Sequence, residues 1–376
     1  MFDTQFSFLD FSLLLFICLI MYFFKKQLFK IEVTTSHKEL NMDQITSFLN
    51  KHGGSHLSHL IFLQDKEVYW ANNQKVLIAY KKISNKLIVL GDPIGDPSFI
   101  EDGIREFDEY SRKRGLKPVY YQVNTQNMAL YQDMGYQFLK LGEEGLVNLN
   151  NFTLEGKKNG KLRTSMNKLS RDSFTFHVIH PPYSNKLISN IKTISDSWLG
   201  DNKEKGFSVV SFTEEYVSRF PLATLCDGQG TIVAFATLAT DYKNSISIDL
   251  MRKTTDSPNG TMDVLFVHIF NWAKENHYQV CSLGMAPLAN VGTSCSPFHF
   301  EKLLRLAYLH GNSIYKFKGL KAFKSKFACC WEPKYLAYKK TCLPIVLIQL
   351  ILLINSKPNP TYVMVDKIKY FLRKAS

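Results

Sequence analysis

The chain has 376 residues, 45% of them hydrophobic, with 46 Lys and Arg against 33 Asp and Glu for a formal net charge of +13. Such a chain is long and apolar enough for a sizeable core and about two domains, which excludes a disordered polymer, and its positive excess favours an anionic partner, either nucleic acid or an anionic membrane surface. Cys18, Cys226, Cys281, Cys295, Cys329, Cys330 and Cys342 form no Cys-x-x-Cys pair and the ten histidines show no ligand spacing, which argues against a disulfide framework or a zinc site, so no metal is expected.

Phe6 to Phe24, FSFLDFSLLLFICLIMYFF, carries one charge, Asp10. As a helix it would reach about 28 Å, close to bilayer thickness, and it reads as a transmembrane anchor within residues 1–30. Lys25, Lys26 and Lys30 follow it and nothing basic precedes it. The positive-inside rule therefore puts the rest of the chain in the cytoplasm, and the pattern is not that of a cleaved signal peptide.

The part that follows is α/β, with strands and helices alternating. A first unit is expected over 31–152. In it NKLIVLGDPIGDP is a strand ending in a glycine turn, SFIEDGIREFDEYSRKRG a helix stopped by Gly115, LKPVYYQV a second strand, and NMALYQDMGYQFLKL a short helix and a further strand. Residues 153–172 form a basic linker helix, with Lys157, Lys158, Lys161, Arg163, Lys168 and Arg171. It is either a solvated face or a track for a phosphate backbone. A second unit, 173–340, repeats the plan: NSISIDLM is a strand, SPNGT a turn, MDVLFVHIFNWAKENH a helix, YQVCSLGM a strand, and FEKLLRLAYLHGNSIYKF a helix followed by a strand. In the tail, 341–376, LPIVLIQLILLI is too short to span a bilayer. Together with Lys367, Lys369, Arg373 and Lys374 it either lies on an anionic membrane surface or packs on a domain.

Strand, turn, helix, strand, helix, strand is the order of the GNAT acyltransferase core, which the two units resemble in tandem; the fold class expected is mixed α+β. Acetyl-CoA-dependent GNATs usually carry a glycine-rich pyrophosphate loop. Here SPNGT supplies Gly260 alone, and GDPIGDP adds Asp92 and Asp96, which would repel a pyrophosphate. Coenzyme A is therefore not expected.

DLMRKTTDSPNGTMDVLF, LGMAPLANVG, YKFKGLKAFKSKF and WEPKYLAY, preceded in order by VLGDPIGD, YYQV, FLKLGEEGLVNL and FTLEGKK, resemble the catalytic domain of the multiple peptide resistance factor family, the phosphatidylglycerol lysyltransferases. The resemblance runs from about Phe62 to Tyr338. It implies a transferase with no bound cofactor that moves an aminoacyl group, most commonly lysyl, from charged tRNA as co-substrate to the glycerol hydroxyl of phosphatidylglycerol. Acting at the cytoplasmic membrane face, it would lower membrane negative charge and so confer resistance to cationic antimicrobial peptides. That family typically carries many transmembrane helices that flip the product lipid, whereas one is read here, which puts a flippase role within this chain in doubt and leaves the need for a separate flippase open.

Transesterification requires a positioned hydroxyl, a proton acceptor and a stabilised oxyanion. Asp249 and Arg252, at the end of the strand before the turn, are the catalytic candidates. Asp249 would hold a cationic amino group or accept a proton, and Arg252 would bind phosphate; the alternative is an ion pair capping the strand. Asn259, Gly260, Thr261 and Asp263 form the turn and first helical positions, where backbone N–H groups and the helix dipole suit an anion, and Thr261 is the expected N-cap. Glu301 joins the site by the resemblance; otherwise it is an exposed helical acid. Lys316, Lys318, Lys321, Lys324 and Lys326, interleaved with Phe317, Phe323 and Phe327, suit the unpaired acceptor end of a tRNA, unless the phenylalanines belong to the core. Two other functions fit the same residues: transfer from the same donor to another lipid or a peptidoglycan precursor, and an inactive protein that holds tRNA or anionic lipid.

Overall fold

The computed structural model describes residues 40–293, 299–310 and 317–356. Phe6 to Phe24 with Lys25, Lys26 and Lys30, as well as Lys316, Lys367, Lys369, Arg373 and Lys374, lie outside them. Among the described residues no helix is long and apolar enough to cross a membrane.

The first unit runs α1 (Met42–His52), β1 (Glu67–Ala71), β2 (Val76–Ile83), β3 (Lys86–Leu90), β4 (Ile94–Gly95), α2 (Ile100–Lys113), β5 (Lys117–Asn124), α3 (Met128–Asp133) and β6 (Gln137–Asn148). The stop expected at Gly115 is where φ reaches +67°, a conformation that glycine adopts without strain. The basic linker holds α4 (Gly160–Arg171), whose Leu162 and Leu169 are buried while its lysines and arginines stay exposed. Then come β7 (Thr175–Ile179), α5 (Asn185–Leu199), α6 (Glu214–Val217), β8 (Leu222–Cys226), β9 (Ile232–Thr240), β10 (Ser245–Lys253), α7 (Thr261–Glu275), β11 (Val280–Pro287), α8 (His299–His310), α9 (Phe317–Lys324), β12 (Cys330–Tyr338) and α10 (Leu343–Asn355). The strand expected at the end of the second unit lies elsewhere. No described part of NSIYKF is a strand: Phe317 opens α9, and the unit's last strand is β12.

Among the described residues all twelve strands form one sheet, ordered β1-β2-β3-β5-β12-β6-β11-β10-β9-β8-β7, with β4 on β2. Each unit contains one parallel pair, β3 with β5 and β10 with β11, as the strand–helix–strand connections require. The final strands are exchanged. β12 lies between β5 and β6, antiparallel to both, while β6 pairs with β11.

Strand alternation divides the core by face. Leu77, Ile88, Val119 and Tyr121 join Ile191, Phe235 and Leu250 in one cluster that runs beneath both units, covered by α1, α5 and α10. On the other face Ile78, Val89 and Tyr120 pack with α2 through Ile104 and Phe107. Ile246, Ile248 and Leu283 pack there with α4 and α7, and Phe323 and Phe327 complete that second cluster. Those two phenylalanines are core residues, Phe327 lying 5.5 Å from the Phe266 ring.

Candidate functional site

β10 and β11 stay paired only from Ser245 to Ser247 against Val280 to Ser282. Beyond that, β10 shifts register against β9 between Ile248 and Met251, and β11 shifts against β6 between Ser282 and Met285, where Gly284 has φ +73°. The two strands splay apart. The irregularity in β10 decides where the catalytic candidates point, because residues three apart on a regular strand face opposite sides. Ile246 and Ile248 face the α7 side, Leu250 faces the α5 side together with Asp249, and Arg252 returns to that same face.

Asp249 keeps 27% of its side-chain surface accessible, and its Oδ2 lies 3.3 Å from His59 Nε2. His59 Nδ1 is 2.7 Å from the Tyr216 hydroxyl. Burial, helped by the Lys66 charge, pushes His59 down to about 3, so the ring is neutral at ordinary pH. Every group is then satisfied when Nε2–H donates to Asp249 and the Tyr216 hydroxyl donates to Nδ1. Burial pushes Asp249 up to about 7, against the pull of Lys324, Arg252 and Lys66. Lys324 is buried and donates to the Gly284 and Met285 carbonyls, both at 3.0 Å, which places its ammonium at the β11 edge of the splay. Burial pushes it down to about 8, opposed by Asp249 and Glu144.

A polar seam continues from there. Glu144, opposite Met285 in the sheet, accepts from Ser282 Oγ at 2.5 Å and lies 3.0 Å from His56 Nδ1 and 2.6 Å from Lys334 Nζ. Burial opposes its charge, but His56 and Lys334 outweigh burial and hold the carboxyl well below its usual range. Burial likewise works against the His56 cation, and the bond to Glu144 overcomes it, so His56 is raised. Lys334 also bonds Asn124, whose backbone N and Nδ2 donate to Asp92 at 3.0 and 2.9 Å. On the other flank Lys66 is 2.5 Å from Asp65, and Asp65 Oδ2 accepts from Phe207 N at 2.7 Å. Buried charges held by this many partners are costly to assemble, and their gathering beside a splayed strand pair makes this the candidate site.

Arg252 is buried and pairs with Glu204 at 3.0 Å rather than with Asp249, its guanidinium lying 4.1 Å from the Trp198 ring. Glu301 stands apart, accepting from Lys140 N at 3.4 Å on β6. Asn259 is exposed. Gly260, not Thr261, is the N-cap of α7, with φ +91° and room for no Cβ, since Ser165 Oγ would stand 2.5 Å away. Thr261 is buried and its hydroxyl donates to Pro258 O at 2.7 Å, so the N-cap expected of it is corrected. Asp263 and Lys326, each read as a substrate-binding residue, bond one another at 2.7 Å, which sets the protein's own carboxylate at the positive end of α7. Lys321 donates to Asn290 Oδ1 at 2.8 Å, and Lys318 is exposed. In the first unit Asp92 is fixed by Asn124 and by Tyr131 at 3.1 Å, while Asp96 caps Ser98 N at 3.0 Å.

His56, His59, Lys66 and Glu204 had no signal in the sequence, and Glu144 and Lys334 lay inside the quoted FLKLGEEGLVNL and WEPKYLAY without being singled out. Glu144 and Lys334 stand on β6 and β12 and the others in loops or a short helical turn, so only the tertiary fold brings them together.

Residues 46–338 match the family model described as phosphatidylglycerol lysyltransferase, C-terminal. The chain is 44% identical over 299 residues to the phosphatidylglycerol lysyltransferase of Bacillus subtilis (strain 168), a match covering 79% of this chain and 35% of that protein. With that of Staphylococcus xylosus it shares 38% identity over 313 residues, 83% of this chain and 37% of that protein. The chain thus spans little more than a third of the length of these relatives. Among solved structures it resembles L-PGS from Bacillus licheniformis, with a TM-score of 0.77 and 40% identity over 86% of this chain and 100% of that one.

Proposed function

The chain belongs to the phosphatidylglycerol lysyltransferase C-terminal family, and from that premise we propose that it transfers an aminoacyl group, lysyl first among candidates, from charged tRNA to the glycerol hydroxyl of phosphatidylglycerol. The observation that carries the reading is Asp249, a carboxyl near pKa 7 at the mouth of a splayed strand pair, steadied by His59 and facing the Lys324 ammonium. Asp249 accepts the proton of the attacking glycerol hydroxyl as the new C–O bond forms. Lys324 offsets the charge on the tetrahedral oxygen. Collapse breaks the ester bond to the tRNA ribose, whose oxygen takes the proton back. Arg252, held by Glu204, is the phosphate-binding group, and Lys318 and Lys321 meet the tRNA. The reaction uses no bound cofactor. The chain works at the cytoplasmic face of the membrane, with Phe6 to Phe24 as its anchor.

The test is incubation of the full chain with a panel of charged tRNAs and phosphatidylglycerol vesicles, followed by lipid chromatography. Aminoacylated lipid that disappears with ribonuclease and ignores added acetyl-CoA is the expected result. Acylation that resists ribonuclease and needs coenzyme A, or transfer to a peptidoglycan precursor alone, would overturn it.

A further inference from the structure

Away from the splay, where β3 and β5 meet the start of α10, a surface pocket of about 650 Å³ is lined by Lys86, Lys117, Lys340, Cys342, Ile345 and Gln349 among others, with no acidic side chain. Lys117 Nζ donates to the Lys340 carbonyl at 2.6 Å and Lys86 Nζ to Asn85 Oδ1 at 3.1 Å, so neutral oxygens rather than carboxylates hold these two cations. Burial, and then the neighbouring Lys117 charge, lowers the Lys86 pKa, as expected where like charges share a site that lacks an anion. Gln349 is 5% exposed, and its Oε1 has no partner.

The helix that forms one wall has no charged residue in its 13 positions. Val346, Leu350 and Leu353 pack into the core. Its outward side is apolar too: Ile345 is 40% and Ile351 51% exposed, two of only four exposed large hydrophobics among the described residues. At about 20 Å the helix is too short to span a bilayer. An apolar outer face ending at a cluster of lysines is suited to lying in a membrane interface.

We propose that this face docks on an anionic lipid surface: a lipid phosphate seats among Lys86, Lys117 and Lys340, a headgroup hydroxyl donates to Gln349, and Ile345 and Ile351 enter the acyl boundary. The inference rests on the proposed function only in that the acceptor is a membrane lipid. None of these residues belongs to the Asp249 site.

The test is hydrogen exchange of Leu343–Asn355 in the full chain, reconstituted in phosphatidylcholine vesicles with or without phosphatidylglycerol and compared with detergent. Exchange should slow with phosphatidylglycerol. Lys86→Gln, Lys117→Gln and Lys340→Gln should each weaken local partitioning about fivefold, and Ile345→Ser with Ile351→Ser should restore detergent-like exchange while the unfolding midpoint holds. Equal exchange in all three media, or protection indifferent to the three glutamines, would overturn the proposal. Protection by inorganic phosphate in detergent, or by raised protein concentration without lipid, would assign the face to a soluble anion or a second copy and overturn it as well. Transfer measured on the same samples separates the two readings: protection without transfer defeats the transferase, and transfer without protection defeats the docking face.

Discussion

Asp249 is easier to protonate in the folded chain than in the unfolded one, because its carboxyl is pushed from 3.8 to about 7. Between about pH 4 and 7 the folded state therefore holds more protons, and stability falls as pH rises; above 7 the whole penalty is present, at most about 4 kcal/mol before solvent screening. Asp249→Asn should thus raise stability at pH 8 by about 1 to 3 kcal/mol and leave it unchanged at pH 4, in urea unfolding at both pH values, while kcat falls about ten- to a thousand-fold. A variant that is weaker at pH 8 would make Asp249 a structural residue. In the wild type, kcat/KM should lose activity tenfold per unit below about pH 7. Tyr216→Phe removes the donor to His59 at 2.7 Å. It should cost about 1 kcal/mol and lower kcat with KM for charged tRNA unchanged, since the buried hydroxyl bears on the reaction through the imidazole it holds. Asp249 and Arg252 were legible as a pair at a strand end. Their partners were not, because His59 and Glu204 approach from segments with no shared spacing.

On α9 and in the turn after it, the lysines spaced along one sequence stretch separate into different environments. Lys324 is buried at the splay, Lys321 and Lys326 have polar partners, and Lys318 is exposed. Lys318→Gln and Lys321→Gln should therefore flatten the salt dependence of tRNA binding by about 0.7 to 0.9 log units for each phosphate left without its lysine, whereas Lys324→Gln should lower kcat and leave the salt slope alone. A slope that moves equally for all three would return Lys324 to the surface set. β1, β2, β7, β8, β9 and β12 went unread, whereas β3, β5, β6, β10 and β11 with α2, α3, α4, α7 and α8 were readable from alternation and from the glycine stop at Gly115. α9 was not, because Phe323 and Phe327 among lysines look alike whether they stack on a base or fill a core, and only the packing against Phe266 decides. At the N-terminus of α7, Gly260→Ala would meet Ser165 and a φ of +91°. It should lower the unfolding midpoint, and Ser165→Gly should recover part of the loss by removing the clash but not the backbone strain.

Across the whole molecule the repeated plan was visible, but the exchange of final strands was not. Periodicity tells which residues pair with some strand and never with which one. With β12 between β5 and β6, residues 31–152 alone leave β5 with an open edge and β6 with no partner on either side. That piece should show no cooperative unfolding in calorimetry, and adding residues 153–376 should restore it; a sharp transition in the isolated piece would show that β5 and β6 can close on each other. The same exchange sets a timetable for biosynthesis. Cys329 meets Leu146 across 183 residues of sequence, so at about 5 to 20 residues per second the ribosome needs roughly ten to forty seconds to deliver the strand that fills the gap. Through that interval the nascent first unit exposes two adjoining edges, each a template for a wrong neighbour, and whatever guards the chain during translation must guard it there.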